Sequence, residues 1–304
     1  MKRIGFDNWN MSFFSEFKWK VFFKKLYDKF FETDVMSASA QVAFYFSFAF
    51  FPLLLFLVTL FGIVLNSTDN LRSELYVYLA QLMPTSAYEL VRTTMDEIIE
   101  SSSGSKLTLG ILITLWSASA GVDSLRIALN RVYEVRETRS WWKTKLQSLL
   151  LTFLFILLLA IGLAAVTAGW TLVKAALAGM GMEVTSPWLI SGIQWIAIII
   201  VMILSTAVVY SWLPSFKQFH WVWISPGSIT AILVWVIFGA LFRLYLHYFN
   251  SYNKAYGSLG AVIILMLWMY ITGLALLLGG AINSVLTEMS EERIIDAEDP
   301  VNPA

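Results

Sequence analysis

The sequence predicts an all-α membrane protein, with a bundle of six transmembrane helices and an N-terminal amphipathic interfacial helix. Six long apolar stretches predict the spans, and the distribution of Lys and Arg predicts their orientation. The composition agrees, because 58% of the 304 residues are hydrophobic and only 14% are charged. The chain has no cysteine, which excludes disulfides and thiolate metal sites. We therefore expect its function to operate in or at a membrane.

The six spans are predicted at residues 38–65, 107–129, 146–172, 188–213, 221–246 and 258–286, within a membrane domain over 38–288. Each is about as long as the ~20 apolar residues that a helix needs to cross a hydrocarbon core ~30 Å thick. Residues 149–169 carry no charge, whereas a soluble core helix of that length would need a polar face.

Lys and Arg are distributed unequally between the two sides of the predicted bundle. Segment 1–37, the connections 123–145 and 214–220 and the tail carry 15 of them, against six on the other side. Because basic residues are retained in the cytoplasm during insertion, both termini are predicted to be cytoplasmic. The acidic tail 289–304 does not contradict this orientation, since Asp and Glu contribute little to it.

Two segments outside the spans are expected to be helical. Between residues 12 and 35, aromatic and aliphatic residues recur at helical spacing beside five lysines, which predicts a helix in the interface with its lysines facing anionic headgroups. Simple anchoring of the first span is the plainer interpretation of this helix, and lipid sensing is the alternative. The outer insert 66–106 is predicted to hold two short helices divided by Pro84, as a lid or as a movable gate.

Polar residues inside a membrane are costly, so they are candidates for a substrate site. In span 1, Gln41, Tyr45 and Pro52 lie close to one face, and Pro52 leaves a backbone carbonyl free and is expected to bend the helix. In span 4, Gln194 lies near one face with two serines. A packing kink and a pore-lining break are both compatible with Pro52.

Span 2 ends in a group of polar residues, Asp123, Arg126, Asn130 and Arg131. Asp123 and Arg126 are three residues apart, so they can pair on one helix face, and Asn130 shares that face. One interpretation is a local ion pair with topology-setting cations. The other is a cytoplasm-facing site for an anionic headgroup, with Arg126 or Arg131 as the cation.

On the outer side, Arg243 lies near the end of span 5, and Asn253 and Tyr256 lie in the turn that follows. With Lys254 nearby, they would form an anion-attracting patch at the start of span 6. A snorkelling arginine and a tight, well-capped turn are the alternatives.

Several different short motifs follow one another along residues 36–288. They are Ala38–Ser39–Ala40, Ala43–Phe44–Tyr45 with Pro52, Leu115–Trp116–Ser117–Ala118, Asn130–Arg131–Val132–Tyr133, Leu213–Pro214, Pro226–Gly227, Tyr252–Asn253, Tyr256–Gly257–Ser258–Leu259–Gly260, Leu267–Trp268–Met269–Tyr270 and Gly279–Gly280 with Asn283. With these motifs the chain resembles the YihY/BrkB family of bacterial inner-membrane proteins. The resemblance implies an integral protein of the cytoplasmic (inner) membrane, with relatives linked to virulence, serum resistance and envelope-lipid export. The family was also once labelled a ribonuclease.

Two functions follow as hypotheses. The first is a transporter or flippase of an amphipathic anionic substrate such as an envelope lipid, and the alternative is a non-transporting scaffold for envelope proteins. Membrane lipids are the expected partners, while envelope proteins and homo-oligomers stay open. We expect no nucleic acid, cofactor, metal or enzyme activity. The ribonuclease label finds no support, because the two histidines, His220 and His247, are assigned to opposite membrane faces.

Overall fold

A computed structural model of the protein describes residues 17–65, 76–77, 88, 92–93, 104–167, 187–216, 221–248 and 258–298. Within these ranges the regular structure is helical throughout, and seven helices have defined bounds. They are α1 (Trp19–Glu32), α2 (Val35–Leu65), α3 (Gly104–Val132), α4 (Trp141–Thr167), α5 (Pro187–Trp212), α6 (Pro226–Tyr248) and α7 (Ser258–Glu298). The predicted all-α class is confirmed for these residues.

Four of these helices are long and apolar enough to cross a membrane. The qualifying segments are Trp141–Gly162 of α4, Trp195–Trp212 of α5, Pro226–Tyr245 of α6 and Val262–Glu292 of α7. In α2, the apolar segment with described side chains, Val35–Phe50, is shorter. Large hydrophobic side chains on the outside of these helices, such as Ile196 and Ile237, are exposed, as lipid-facing residues are in a membrane protein. The chain is an integral membrane protein.

α1 presents two apolar faces. Its inner face buries Phe22 against the end of α7, in a cluster with Ile282, Val285 and Leu286. Its outer face exposes aromatic residues at intervals of four residues, and the rings of Trp19 and Phe23, and of Tyr27 and Phe31, are in contact. This aromatic ridge consists of Trp19, Phe23, Tyr27 and Phe31.

Two lysines of α1 bind glutamates instead of facing headgroups as predicted. Lys29 is only 5% exposed, and its Nζ lies 2.8 Å from Glu134 and 2.5 Å from Glu288. Lys25 lies 2.5 Å from Glu292. The helical extension of α7 brings Glu288 and Glu292 to α1, and opposite charges attract more strongly near a protein surface than in bulk water. We call these five residues the lysine clamp.

α6 and α7 approach each other at two glycines, where no larger residue fits. A Cβ atom on Gly227 would lie 2.6 Å from Asn283 Oδ1 and would collide with the carbonyl oxygen of Gly279. A Cβ atom on Gly279 would lie 2.5 Å from the carbonyl oxygen of Gly227. Small residues permit this close packing, and the Gly227 N–H donates to Asn283 Oδ1 at 2.9 Å.

Helix ends differ from the predicted span ends. α6 begins at Pro226 and residues 221–225 are not helical, because Ser225 caps the helix by accepting from the Ser228 N–H at 3.0 Å. α4 begins at Trp141, ahead of position 146, and α7 continues to Glu298, past position 286. Apolar stretches locate the part of a helix that lipid surrounds, and polar turns can extend it.

Candidate functional site

A group of charged and polar side chains joins the end of α3, the start of α4, the end of α5 and the loop between α3 and α4. We call it the charged cluster. Its members are Asp123, Arg126, Asn130, Glu137, Arg139, Lys145 and Ser148.

Asp123 links α3 to α4. Its Oδ1 accepts from Ser148 Oγ at 2.6 Å, and its Oδ2 lies 3.2 Å from Lys145 Nζ. Arg126, one turn further along α3, approaches the same carboxylate at 3.4 Å. A carboxylate among packed helices needs such partners, because burial without them would cost several kcal/mol. The ion pair predicted from the spacing is present, within a larger set of contacts.

Arg126 is buried, and its main partner comes from the α3–α4 loop. Its Nη1 donates to Glu137 Oε2 at 2.6 Å. Asn130 donates to the same oxygen at 3.2 Å and accepts from the Ser215 N–H at 2.9 Å, just beyond α5. The Nε of Arg126 is buried and has no hydrogen-bond partner among the described residues.

Arg139 holds Glu137 in a two-pronged ion pair. Its Nε and Nη2 donate to the two Glu137 oxygens at 2.8 Å each. Its Nη2 also donates to the Leu213 carbonyl at 3.1 Å, and its Nη1 donates to Gln147 at 2.5 Å. Burial acts to raise the pKa of Glu137, but the hydrogen bonds and charge of Arg139 outweigh it and hold that pKa well below its usual range.

Lys145 completes the charged cluster on the α4 side. Its Nζ donates to Ser119 at 2.6 Å and lies 4.5 Å from the centre of the Trp116 ring. The ring face and the Asp123 carboxylate both stabilise the ammonium group. With Lys145, the charged cluster holds three cations against two carboxylates, which leaves one excess positive charge.

A known protein family matches most of the chain. The family model for the virulence factor BrkB matches residues 26–302. The chain belongs to the BrkB family. This BrkB-family protein is also 30% identical to the ribonuclease-like protein YfkH of Bacillus subtilis (strain 168) over 267 residues, 87% of this chain and 94% of YfkH. No solved structure matches the chain at a significant level. The resemblance drawn from the sequence motifs is confirmed.

The BrkB-family structure brings only part of the predicted site together. Asp123, Arg126 and Asn130 meet in the charged cluster, whereas Arg131 is exposed and lies outside its contacts. Arg243 is exposed on α6, and no described contact joins it to the charged cluster.

The other predicted site residues lie apart from the charged cluster or outside the described residues. Gln41 and Tyr45 are exposed on α2. Pro52 lies within α2, which continues through it to Leu65, and Gln194 lies within α5, but the side chains of both are outside the described set. Asn253 and Tyr256 fall outside the described residues altogether, as does most of the insert 66–106.

Sequence reasoning missed four members of the charged cluster, namely Glu137, Arg139, Lys145 and Ser148. The basic residues among them had been explained by topology alone. One signal was available, because Lys145 and Ser148 are three apart and share a helix face once α4 is extended back to Trp141.

Proposed function

We propose that this protein is a transporter or flippase of an amphipathic anionic substrate, such as an envelope lipid. The observation that carries the proposal is the charged cluster, a partly buried set of ion pairs at one end of the helix bundle with one excess positive charge. Ionisable residues among membrane helices are costly and typically mark substrate or ion pathways. The excess charge favours an anion.

We also propose the full six-span arrangement in the inner membrane, with both termini cytoplasmic. The charge bias of the connections supports it, and the charged cluster and the lysine clamp both lie at the helix ends assigned to the cytoplasm. In this arrangement the aromatic ridge of α1 faces the membrane interface, where Trp and Tyr are enriched.

The protein is proposed to act without catalysis. A general acid or base works best with a pKa near the working pH. Glu137 has a strongly lowered pKa, and Asp123 is held by Lys145, Arg126 and Ser148. Glu137 is therefore poorly suited to proton transfer during RNA cleavage, and both carboxylates are suited to holding helices together.

The scaffold alternative rests on small-residue faces and on the acidic tail 289–304, which could contact other proteins. Several of the small residues instead pack against helices of the same chain. A Cβ on Gly121 would lie 3.0 Å from the Phe46 ring, and one on Gly273 would lie 3.2 Å from Val42. This internal use of the small residues favours transport over a scaffold.

Reconstitution into liposomes tests the proposal. We expect the wild-type protein to move a fluorescent anionic phospholipid between leaflets, and Arg126→Ala to slow this movement about tenfold, since charge-assisted hydrogen bonds contribute ~1.5–3 kcal/mol. Arg136→Ala is the matched control, because Arg136 is an exposed loop cation outside the charged cluster. Size-exclusion profiles and Arg126→Lys separate loss of function from misfolding.

Two results would count against these proposals. If wild-type protein moves no lipid and copurifies with a stable envelope partner, the scaffold is the better account. If the wild type is active and Arg126→Ala moves lipid at the same rate, transport stands but the charged cluster is not its site.

A further inference from the structure

A groove of about 330 Å³ opens on the outside of the bundle, between the start of α4 and the end of α5. Its polar end is lined by Arg139, Lys143 and Gln147. Its apolar end, further along α4, is lined by Leu146 and Leu150, while Trp212, Pro214 and Phe216 lie at and just beyond the end of α5. The groove is thus amphipathic, with its charged residues near the helix ends and its leucines further along α4.

The polar end is rigid and carries one available positive charge. Arg139 is neutralised by Glu137 and fixed by Gln147, whose Nε2 in turn donates to the Trp212 carbonyl. Lys143 is exposed and lies within 4 Å of no acidic side chain in the described part of the chain. A fixed wall beside one free ammonium group suits an anion with a single negative charge.

The apolar end continues as a stripe along α4. Leu146, Leu150, Phe153, Leu157 and Ile161 follow each other at intervals of three or four residues, and all are exposed. At 1.5 Å per residue this stripe is roughly 22 Å long, more than the ~15 Å depth of one leaflet's hydrocarbon. An acyl chain that starts at the groove can therefore contact the stripe on α4 along the whole length of the acyl chain.

The tryptophans around the groove give its depth in the membrane. Trp141 and Trp142 are exposed at the first turn of α4, and Trp212 lines the groove at the end of α5. Trp side chains are enriched at the level of the headgroups. Lys143, one residue after this pair, therefore lies at the depth of lipid phosphates.

We propose that this groove binds a phospholipid with one anionic phosphodiester, with Lys143 contacting the phosphate and an acyl chain lying on the α4 stripe. The Arg139–Gln147 wall positions the headgroup. This inference rests on the proposed transport of an anionic lipid, for which the groove is the loading site in the leaflet at these helix ends. It identifies the substrate class as phosphodiester lipids whose headgroup is otherwise uncharged.

Native mass spectrometry of the full chain in detergent tests the inference. The probes are phosphatidylglycerol and phosphatidylcholine with the same acyl chains. We expect the wild type to prefer phosphatidylglycerol, and Lys143→Gln to bind it about tenfold more weakly, with a smaller loss for phosphatidylcholine, whose phosphate is compensated by its own choline cation. Lys143→Arg should retain most of the preference. Arg136→Gln, which removes an exposed cation outside the groove, should leave binding unchanged.

A competition arm separates a lipid from a free phosphate. Glycerophosphoglycerol, the phosphodiester headgroup without acyl chains, should not displace the lipid at the same concentration, because it lacks the chain that covers the α4 stripe. Equal phosphatidylglycerol binding by wild type and Lys143→Gln, or displacement by glycerophosphoglycerol, would overturn the inference. Because binding is measured without transport, its loss in Lys143→Gln would support the groove even if liposomes showed no lipid movement.

Discussion

At the scale of single residues, two buried asparagines each bind partners on other structural elements. Asn130 binds Glu137 and Ser215, so one amide joins α3, the following loop and the end of α5. Asn283 does the same for α6 and α7, accepting from Gly227 and donating to Ser225 at 2.9 Å. Each amide prevents an unsatisfied backbone or side-chain group, which would cost about 1–3 kcal/mol.

Gly227 is the position where a single methyl group should be most damaging. Gly227→Ala places its Cβ against the Gly279 backbone and Asn283, and a backbone oxygen cannot move aside as a side chain can. We expect a loss of about 3 kcal/mol or more in the free energy of unfolding, measured by denaturant titration in micelles. Gly192→Ala is the control, because its Cβ would meet nothing within 4 Å. Equal stability of the two variants would contradict the close approach.

The sequence was sufficient to predict side-chain contacts within one helix, but it was not sufficient to predict contacts between different elements. The pairing of Asp123 with Arg126 follows from a spacing of three residues. The pairing of Arg126 with Glu137 depends on how the α3–α4 loop turns back, which no helical spacing encodes. Lys145 reaches Asp123 only because α3 and α4 pack side by side.

At the scale of elements, hydropathy located the apolar middle of each helix better than its ends. The predicted spans left out the first turn of α4, because its lysines lower the local hydropathy although the backbone is already helical. At α6, the apolar residues Trp221–Ile224 lie within the predicted span but precede the Ser225 cap and are not helical. Hydrogen bonds decide helix ends, and hydropathy does not measure them.

The lysine clamp fixes α1 to α7, and its two lysines should differ in importance. Lys29→Ala removes a buried ammonium between Glu134 and Glu288 and leaves two carboxylates close together. We expect Lys29→Ala to lower the free energy of unfolding by about 2 kcal/mol. Breaking a fully buried ion pair costs ~3–5 kcal/mol, and the loss here is smaller because the Glu134 side chain is 44% exposed.

Lys25→Ala is the matched variant in the same helix. Its partner, Glu292, has a side chain that is 59% exposed, so the pair should contribute less than ~1 kcal/mol. Thermal denaturation of both variants in the same detergent, at low and high salt, measures the difference. Equal losses, or a larger loss for Lys25→Ala, would show that burial of Lys29 does not strengthen the clamp.

At the scale of the whole molecule, the described polar contacts concentrate at one end of the bundle. The charged cluster, the lysine clamp and the cap of α6 all lie where α3, α5 and α7 end and α4 and α6 begin. In the proposed topology this end is cytoplasmic, which agrees with the retention of basic residues during insertion. The number of spans therefore decides on which side of the membrane the charged cluster and the groove lie.

The absence of cysteine allows a direct test of that arrangement, because each introduced thiol is the sole target of a maleimide. If α2 and α3 both cross the membrane, residue 77 is outside and residue 136 is inside. We expect Val77→Cys, at a side chain that is 56% exposed, to react with an impermeant maleimide in intact cells. Arg136→Cys, in the exposed α3–α4 loop, should react only after permeabilisation. Labelling of both variants in intact cells would remove α3 from the spans and place the charged cluster outside the cytoplasm.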